Sequence, residues 1–422
     1  MATEIGERWA ELGQIVREGH IHAATPADAI DNAQPHVIIE PGSAEEVAAV
    51  LRHAGAARLR IAPRGGGTKM DWGNAPSGID LVLSTARLNR VLEHVWDDMT
   101  ATVEAGCTVA RFQQALAEHG QQLALDPLWP SRATIGGVLA TNDSGALRLR
   151  FGALRDLIIG ITIVLPGGTI AKSGGKVVKN VAGYDLPKLL TGSLGTLGII
   201  TAATFRLYPL ARGRRTLSFR TSHVAIANKI ALAIHDSTRT PTGIQLRAGA
   251  DESPQLDVRF EGVAAAIESQ TQQLLSLTGE AEPVDPLPGV WSARESLWEG
   301  AEPAVVCKLT LLPTQIGEFC ETVRRRAEAQ EITWRIVAQS IGVCLLRLEG
   351  RDEQSLLEVL ESLRAALRES GGSLVVLRCP PEIKAKIDIW GTQGDALPLM
   401  RRIKGQFDPA NILNPKRFVG GI

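Results

Sequence analysis

Three consecutive glycines in Pro63-Arg64-Gly65-Gly66-Gly67-Thr68 constrain this chain more than any other stretch. A run like this is costly inside a helix or strand, so it marks a turn or a place where backbone approaches something closely. Successive N–H groups in such a loop converge into a nest for phosphate oxygens, and the Thr68 hydroxyl adds a further donor. The spacing is not GxGxxG, and Asp71-Trp72-Gly73-Asn74 follows where a dinucleotide fingerprint would open a helix. The alternative for the loop alone is a plain glycine-rich turn.

The loop has company. The chain holds 42 glycines, and most of their excess lies between Gly65 and Gly198. In Thr134-Ile135-Gly136-Gly137-Val138-Leu139-Ala140-Thr141-Asn142-Asp143-Ser144-Gly145 the small residues leave room for a flat ring or a pyrophosphate beside the backbone. Asn142 there offers both a donor and an acceptor. A third segment, Gly192-Ser193-Leu194-Gly195-Thr196-Leu197-Gly198-Ile199, runs into an apolar stretch whose backbone could pair with the edge of an adenine.

At 422 residues the chain is too long for one typical core, which implies two domains. A hydrophobic fraction of 44%, a charged fraction of 22% and a net charge of −1 fit an ordinary globular protein. That balance gives no drive toward nucleic acid or anionic lipid. Cys107, Cys307, Cys320, Cys344 and Cys379 form no CxxC pair, so neither a disulfide framework nor an iron–sulfur or zinc site is expected, and no metal ligands are assigned. Met1–His20 is charged and helical in pattern without a signal-peptide core, and the longest apolar run, Leu157–Leu165, is too short to span a bilayer. The expected location is the cytoplasm, with no direct membrane insertion; association with the inner membrane would come through partners.

The expected elements follow from periodicity and caps. Ser43 and Glu46 are spaced as a capping box ahead of the stripe Val47, Val50 and Leu51. Strands fit Leu59–Ala62, Leu81–Ser84, Ala101–Glu104, Leu157–Leu165 and Ile199–Tyr208, with a turn at Pro166-Gly167-Gly168 and a helix from Thr108 to Gly120. Beyond Arg212–Arg215 come strands at 216–220, 243–247, 256–261, 305–311, 334–339, 343–348 and 374–378. Helices fit 224–235, 264–276, 315–329 and 353–369. The expected domains are a helical segment at 1–32, an α+β domain at 33–211, an α+β cap with an antiparallel sheet at 212–399, and a segment at 400–422 returning to the first domain.

The series PRGGGT, ATIGGVLATNDSG, GGKVVKNVAGYDL and GSLGTLGIIT, with the tail FDPANILNP, resembles the PCMH-type FAD-binding domain of the vanillyl-alcohol oxidase / p-cresol methylhydroxylase superfamily. Gly174–Leu186 most resembles FAD-binding subunits of glycolate oxidases. The match covers about residues 33–211 and the tail, and the cap only in layout. The resemblance implies FAD, with Pro63, Arg64, Gly65, Gly66, Gly67 and Thr68 at the pyrophosphate. It places Thr134, Ile135, Gly136, Gly137, Ala140, Asn142 and Gly145 along flavin and phosphates, and Gly195, Gly198 and Ile199 at the adenine end. Members with covalent flavin often carry histidine or cysteine in the first loop; glycine stands there here, so non-covalent FAD is expected.

The resemblance also implies oxidation of a small 2-hydroxy acid, glycolate to glyoxylate, which needs hydride transfer to flavin and a base. Related dehydrogenases carry a histidine metal cluster in the cap, whereas the last of the eight histidines here is His235. The chain therefore reads as an accessory FAD subunit of a glycolate oxidase complex, with a larger flavoprotein subunit and an iron–sulfur subunit as partners. The alternatives are a self-sufficient FAD-dependent dehydrogenase of another hydroxylated small molecule, and a scaffold without flavin. Tyr184, in the family-specific segment with Lys179, Asn180 and Asp185, is a candidate to bond substrate or ring, or else fixes the turn at Gly183. Arg294 is a candidate carboxylate clamp in what resembles a cap helix, or else a solvated helical arginine paired with Glu295 or Glu299. Arg148 and Arg155 are phosphate-neutralising candidates or partners of Asp156, and Trp334 and Trp390 read as core or interface.

Overall fold

The structure, a computed structural model, describes residues 9–175, 184–279, 281–392 and 394–422. It divides into two compact units: the described residues up to Ser144 with Ala153–Leu210 and Thr392–Ile422, and Gly145–Gly152 with Ala211–Gly391.

In the first unit the strands are β1 (Ile21–Ala23), β2 (Val37–Ile39), β3 (Ile61–Arg64), β4 (Leu81–Ser84), β5 (Val91–Val95), β6 (Thr100–Glu104), β7 (Gln121–Gln122), β8 (Ile158–Val164), β9 (Ile170–Gly174), β10 (Ile199–Arg206) and β11 (Tyr208–Pro209). One sheet runs β1-β2-β4-β3, parallel across β2, β4 and β3; a second, antiparallel, runs β5-β6-β10-β8-β9; β7 pairs with β11. The parallel strands read as continuous apolar runs because they are buried, as parallel strands generally are. Helix Ala44–Ala56 lays Val47, Val50, Leu51 and Ala54 onto this core. Ser43 caps it by accepting from the Glu46 N–H at 3.2 Å, but the Glu46 carboxylate accepts from Gly42, at 2.7 Å. The reciprocal half of the expected capping box is displaced by one residue.

The open edge of β3 is closed by the tail. Ile61 donates to the Ile412 carbonyl (2.7 Å), and its own carbonyl accepts from the Asn414 N–H (2.9 Å). An unpaired edge is a template for wrong pairing, and the tail occupies it.

The second unit holds β12 (Gly213–Arg220), β13 (Gly243–Gly249), β14 (Glu252–Gly262), β15 (Glu282–Val284), β16 (Ala304–Thr310), β17 (Thr333–Gln339), β18 (Val343–Glu349) and β19 (Ser373–Arg378) in one antiparallel sheet ordered β15-β12-β14-β13-β17-β18-β16-β19. Alternation splits its faces. Phe219, Ile244, Leu246, Val258, Ile336 and Leu346 belong to the apolar core with the helices. On helix Glu353–Glu369, Leu356, Leu360, Leu363 and Leu367 repeat at helical spacing, each full burial being worth about 1.5–3 kcal/mol. Trp334 lies in this core and Trp390 packs against it.

The opposite face is polar, and residues 285–301 are fastened to it by their carbonyls. Gln245 donates to Val290 (2.8 Å), Arg335 to Glu299 (2.6 Å), Arg347 to Leu297 and Ala301 (3.2 and 2.6 Å), and Arg378 to Trp298 (3.1 Å). Among the described residues no helix is long and apolar enough to cross a membrane.

Candidate functional site

The site is built in the first unit where β3 ends. The chain leaves Arg64, and the three glycines have separate reasons to be glycine. A Cβ on Gly65 would collide with the Thr134 hydroxyl, one on Gly66 with the Arg132 carbonyl, and Gly67 adopts φ +70°. The loop is thus pressed against residues 132–134. Thr134 Oγ1 accepts from the Gly66 N–H (3.3 Å) and from the Gly137 N–H (3.4 Å), joining the first two glycine segments at one hydroxyl. The second segment is a helix, Ile135–Thr141, with Thr134 as its N-cap and Asn142 left-handed at its end.

The third segment is hung from that helix. Gly192 donates to Leu139 O and Leu194 to Ala140 O, both at 2.8 Å. This brings Gly195, at φ +68°, against Pro63, where a Cβ would lie 3.0 Å from the proline ring. The tail completes the enclosure. Asn414 Nδ2 donates to Leu194 O (2.7 Å), and Arg417 donates to the carbonyls of Met70 and Trp72.

One cleft results. Of the residues expected from sequence, Pro63, Gly65, Gly66, Gly67, Thr68, Thr134, Gly137, Ala140 and Gly195 line it. Others serve the scaffold. Arg64 turns its guanidinium to Asp28 (2.6 Å), Ile135 is buried, and Gly136 lets the helix approach Ala105, whose Cβ would be 2.8 Å from an added one. Gly198 approaches the Val164 carbonyl and Ile199 begins β10, while Gly145 groups with the second unit.

Thr141, inside the expected 134–142 segment, lines the cleft too, while Lys69, Met70, Leu194, Asn414 and Arg417 also line it and were not expected from sequence. The FDPANILNP tail was the available signal for Asn414. Arg417 lies just beyond it, and Lys69 directly follows the glycine loop. Lys69 is buried, 3.3 Å from Asp143, with its ammonium 5.7 and 5.6 Å from the ring centres of Trp72 and Trp129. Burial pushes the Arg417 guanidinium down to about 10, against the opposing pull of Asp31 and Asp71, and it stays charged at neutral pH.

These features fit a diphosphate-bearing cofactor such as FAD. The loop backbone is held so close against residues 132–134 that side chains at Gly65 and Gly66 could not be accommodated, which leaves bare backbone on the cleft, and two cationic residues stand in its wall. Beside Leu194, Ser193 Oγ is buried without a hydrogen-bond partner among the described residues.

The other candidates fall elsewhere. Lys179, Asn180 and Gly183 lie outside the described residues. The Tyr184 side chain is 90% exposed and does not line the cleft, while its carbonyl accepts from Ser173 Oγ. Asp185 caps helix Leu186–Leu190 and pairs with Lys188 at 2.9 Å. Arg155 donates to Thr191 O, Asp156 accepts from the Ala153 N–H, and Arg148 opens a short helix grouped with the second unit. Arg294 requires a correction: it is neither on a regular helix nor solvated. It sits between two 3-10 turns, Val290–Ser292 and Glu295–Trp298, and is only 6% exposed, because this segment is fastened to the polar sheet face. Among the described residues no group of three or more His, Cys, Asp or Glu is placed to hold a metal ion.

Comparison with known proteins agrees with this geometry. Residues 35–174 match a family model described as FAD binding domain, and residues 391–418 match one described as FAD linked oxidases, C-terminal domain. A D-lactate dehydrogenase of Archaeoglobus fulgidus is 30% identical over 411 residues, covering 92% of this chain and 92% of that protein. Glycolate oxidase subunit GlcD of Bacillus subtilis is 28% identical over 421 residues, covering 91% and 88%. The structure of p-cresol methylhydroxylase with substrate bound shares the fold, with a TM-score of 0.78 at 14% identity over 97% of this chain and 96% of that one.

Proposed function

The chain belongs to the vanillyl-alcohol oxidase / p-cresol methylhydroxylase-type superfamily of FAD-linked oxidoreductases acting on CH-OH groups, and from that premise we propose that it takes part in the two-electron oxidation of a small 2-hydroxy acid, glycolate to glyoxylate, as the FAD-binding subunit of a glycolate oxidase complex. The observation that carries the proposal is the cleft in which Gly65–Thr68, the Thr134 helix, the Leu194–Gly195 loop and the tail meet.

When bound, FAD supplies the acceptor for the two electrons. Gly65, Gly67 and Thr68 would hold the pyrophosphate with backbone N–H groups, Gly66 would line it while its own N–H stays on Thr134, and Arg417 and Lys69 would balance the charge. Thr134, Gly137 and Ala140 give the cofactor backbone to lie against, and Gly195 with its following residues takes the adenine end. No histidine or cysteine stands between Pro63 and Thr68, which supports a dissociable flavin. Arg294 is the residue proposed to receive the substrate carboxylate, a role its burial would strengthen. The last histidine at 235 supports an accessory role beside a larger flavoprotein subunit, with electrons leaving through an iron–sulfur subunit.

The purified chain is expected to be yellow, to release flavin in acid, and to turn over glycolate poorly until those partners are added. A colourless protein that cannot be reconstituted with FAD overturns the whole reading; fast glycolate oxidation by the single chain overturns only the accessory part. One observation favours a second reading, a self-sufficient dehydrogenase of another hydroxylated substrate: the 30% match to a D-lactate dehydrogenase spans 92% of each chain. Bleaching of the flavin by one member of a 2-hydroxy-acid panel, without partners, would select it.

A further inference from the structure

A second cleft, of about 700 Å³, lies wholly within the second unit, between the polar face of the sheet and residues 287–297. Its size falls in the range of small-molecule sites, about 300–1,000 Å³, and is too small for a macromolecule. Its charged lining is one-sided, with Arg220, Arg247 and Arg335 against Glu252.

Strand register places these guanidinium groups together. Arg220 pairs with Gln255, Gln255 with Arg247, and Arg247 with Val337, in one row across β12, β14, β13 and β17. Arg335 pairs with Gly249, two residues along β13 from Arg247, and so is its diagonal neighbour on the same face. At a strand spacing of about 4.8 Å, Arg220 and Arg247 start about 10 Å apart.

Each arginine keeps its protein counter-ion with part of its donor set. Arg247 uses Nε and Nη2 on buried Asp257 and on Gln255; Arg335 uses Nη2 on Glu349 and the Glu299 carbonyl; Arg220 uses Nη1 on Glu282. Among the described residues Nη1 of Arg247, Nε and Nη1 of Arg335, and Nε and Nη2 of Arg220 make no hydrogen bond. None of the three carboxylate partners lines the cleft. Val290, Leu297 and Val337 add an apolar wall, which an inorganic anion would not use.

We propose that this cleft binds a small dicarboxylate, one carboxylate held by Arg247 with Arg335, the other by Arg220, and the carbon skeleton lying along Val337 and the 287–297 segment. Arginine suits both ends because its planar fork matches a carboxylate.

The test is calorimetric titration of the FAD-loaded protein with succinate and with glutarate, neither of which has a hydroxyl to be oxidised. Saturable one-to-one binding is expected, with Arg220→Gln and Arg335→Gln each weakening it by about tenfold or more. Arg220 pairs with Glu282 on the exposed surface, so its variant keeps the test decisive should Arg335→Gln fold poorly. Glu252→Gln is expected to tighten binding. The proposal is overturned by no saturable heat up to about 10 mM ligand, a weak-binding limit. It is equally overturned if propionate or inorganic phosphate binds as well as the dicarboxylates, or if the Arg220→Gln protein binds succinate with unchanged affinity. Flavin content is read separately in every variant, so loss of the dicarboxylate site and loss of FAD binding are told apart.

Discussion

Lys404 Nζ sits 2.6 Å from Asp408 Oδ2 in a buried pair that reaches across the first unit. The same ammonium donates to the carbonyls of Thr196 (2.9 Å) and Leu413 (3.0 Å), and Asp408 accepts from the N–H groups of Ile412 and Leu413. Burial pushes the Lys404 pKa down and Asp408 pulls it back. The pair ties helix Leu397–Phe407, the edge-closing tail and the 192–198 loop into one piece. Asp408→Ala leaves a buried charge without its counter-ion and takes the carboxylate acceptor from the N–H groups of Ile412 and Leu413. It is expected to destabilise the first unit by about 3–5 kcal/mol in urea unfolding and to lower flavin retention. A loss below about 1 kcal/mol would place the pair among weak surface-type contacts and refute this account.

Gly66→Ala tests the cradle. Its Cβ would overlap the Arg132 carbonyl, a backbone atom that cannot rotate away, so the loop must move. FAD affinity is expected to fall at least about tenfold, measured by flavin fluorescence on titration into apoprotein. Gly167→Ala, where a Cβ meets nothing within 4 Å, is the matched control and should bind FAD as the parent does.

The Asp28–Arg64 pair gives a pH dependence with a definite sign. Burial alone would raise the Asp28 pKa, but hydrogen bonds from Arg64 and Thr25 bring it below its ordinary 3.8. A carboxylate depressed in the folded state contributes stability that is fully present above its unfolded pKa and is lost as pH falls through the folded one. Asp28→Asn should therefore flatten part of the acid limb of the stability curve below pH 3.8, followed by thermal unfolding across acid pH. Superimposable acid limbs for parent and variant would rule the pair out as a contributor.

Thiol chemistry should be silent in the native protein. Cys107, Cys307, Cys320 and Cys344 are buried, and burial raises each of their pKa values, that of Cys320 to about 12. A thiol that is not a thiolate is a poor nucleophile. These four are expected to react with a disulfide reagent only after denaturation, as counted by mass spectrometry; native labelling of any of them contradicts their placement.

Legibility in the sequence tracked the length of the signal. Helix Glu353–Glu369 carries an Asp352 cap and four leucines at helical spacing, so its limits were readable. The antiparallel strands of the second unit alternate over five residues or more and were readable to within a few positions, apart from the short β15. Strands β1 and β2 have three residues each, too few for a period, and emerge only from pairing. The Ile135–Thr141 helix was hidden because Gly136 and Gly137 oppose helix by propensity, while contacts to Ala105 and Thr134 decide it. In the cleft, the glycine loops announced themselves as local motifs. Arg417 did not, because its contacts with Met70 and Trp72 span 347 and 345 residues, and no local pattern encodes such a distance. Arg294 was misjudged because residues 285–301 have no periodicity, and their cover over the sheet is a tertiary fact.

Closure of the β3 edge by the tail sets an order of events during synthesis. Asn414, which holds the Leu194 carbonyl, leaves the ribosome 220 residues after Leu194. At about 5–20 residues per second that is a delay of roughly ten to forty seconds, during which the second unit is also being made. Through that interval the nascent chain carries its glycine loops but not the wall that completes them. The cleft lined by Asn414 and Arg417 is therefore complete only after the whole second unit has been made.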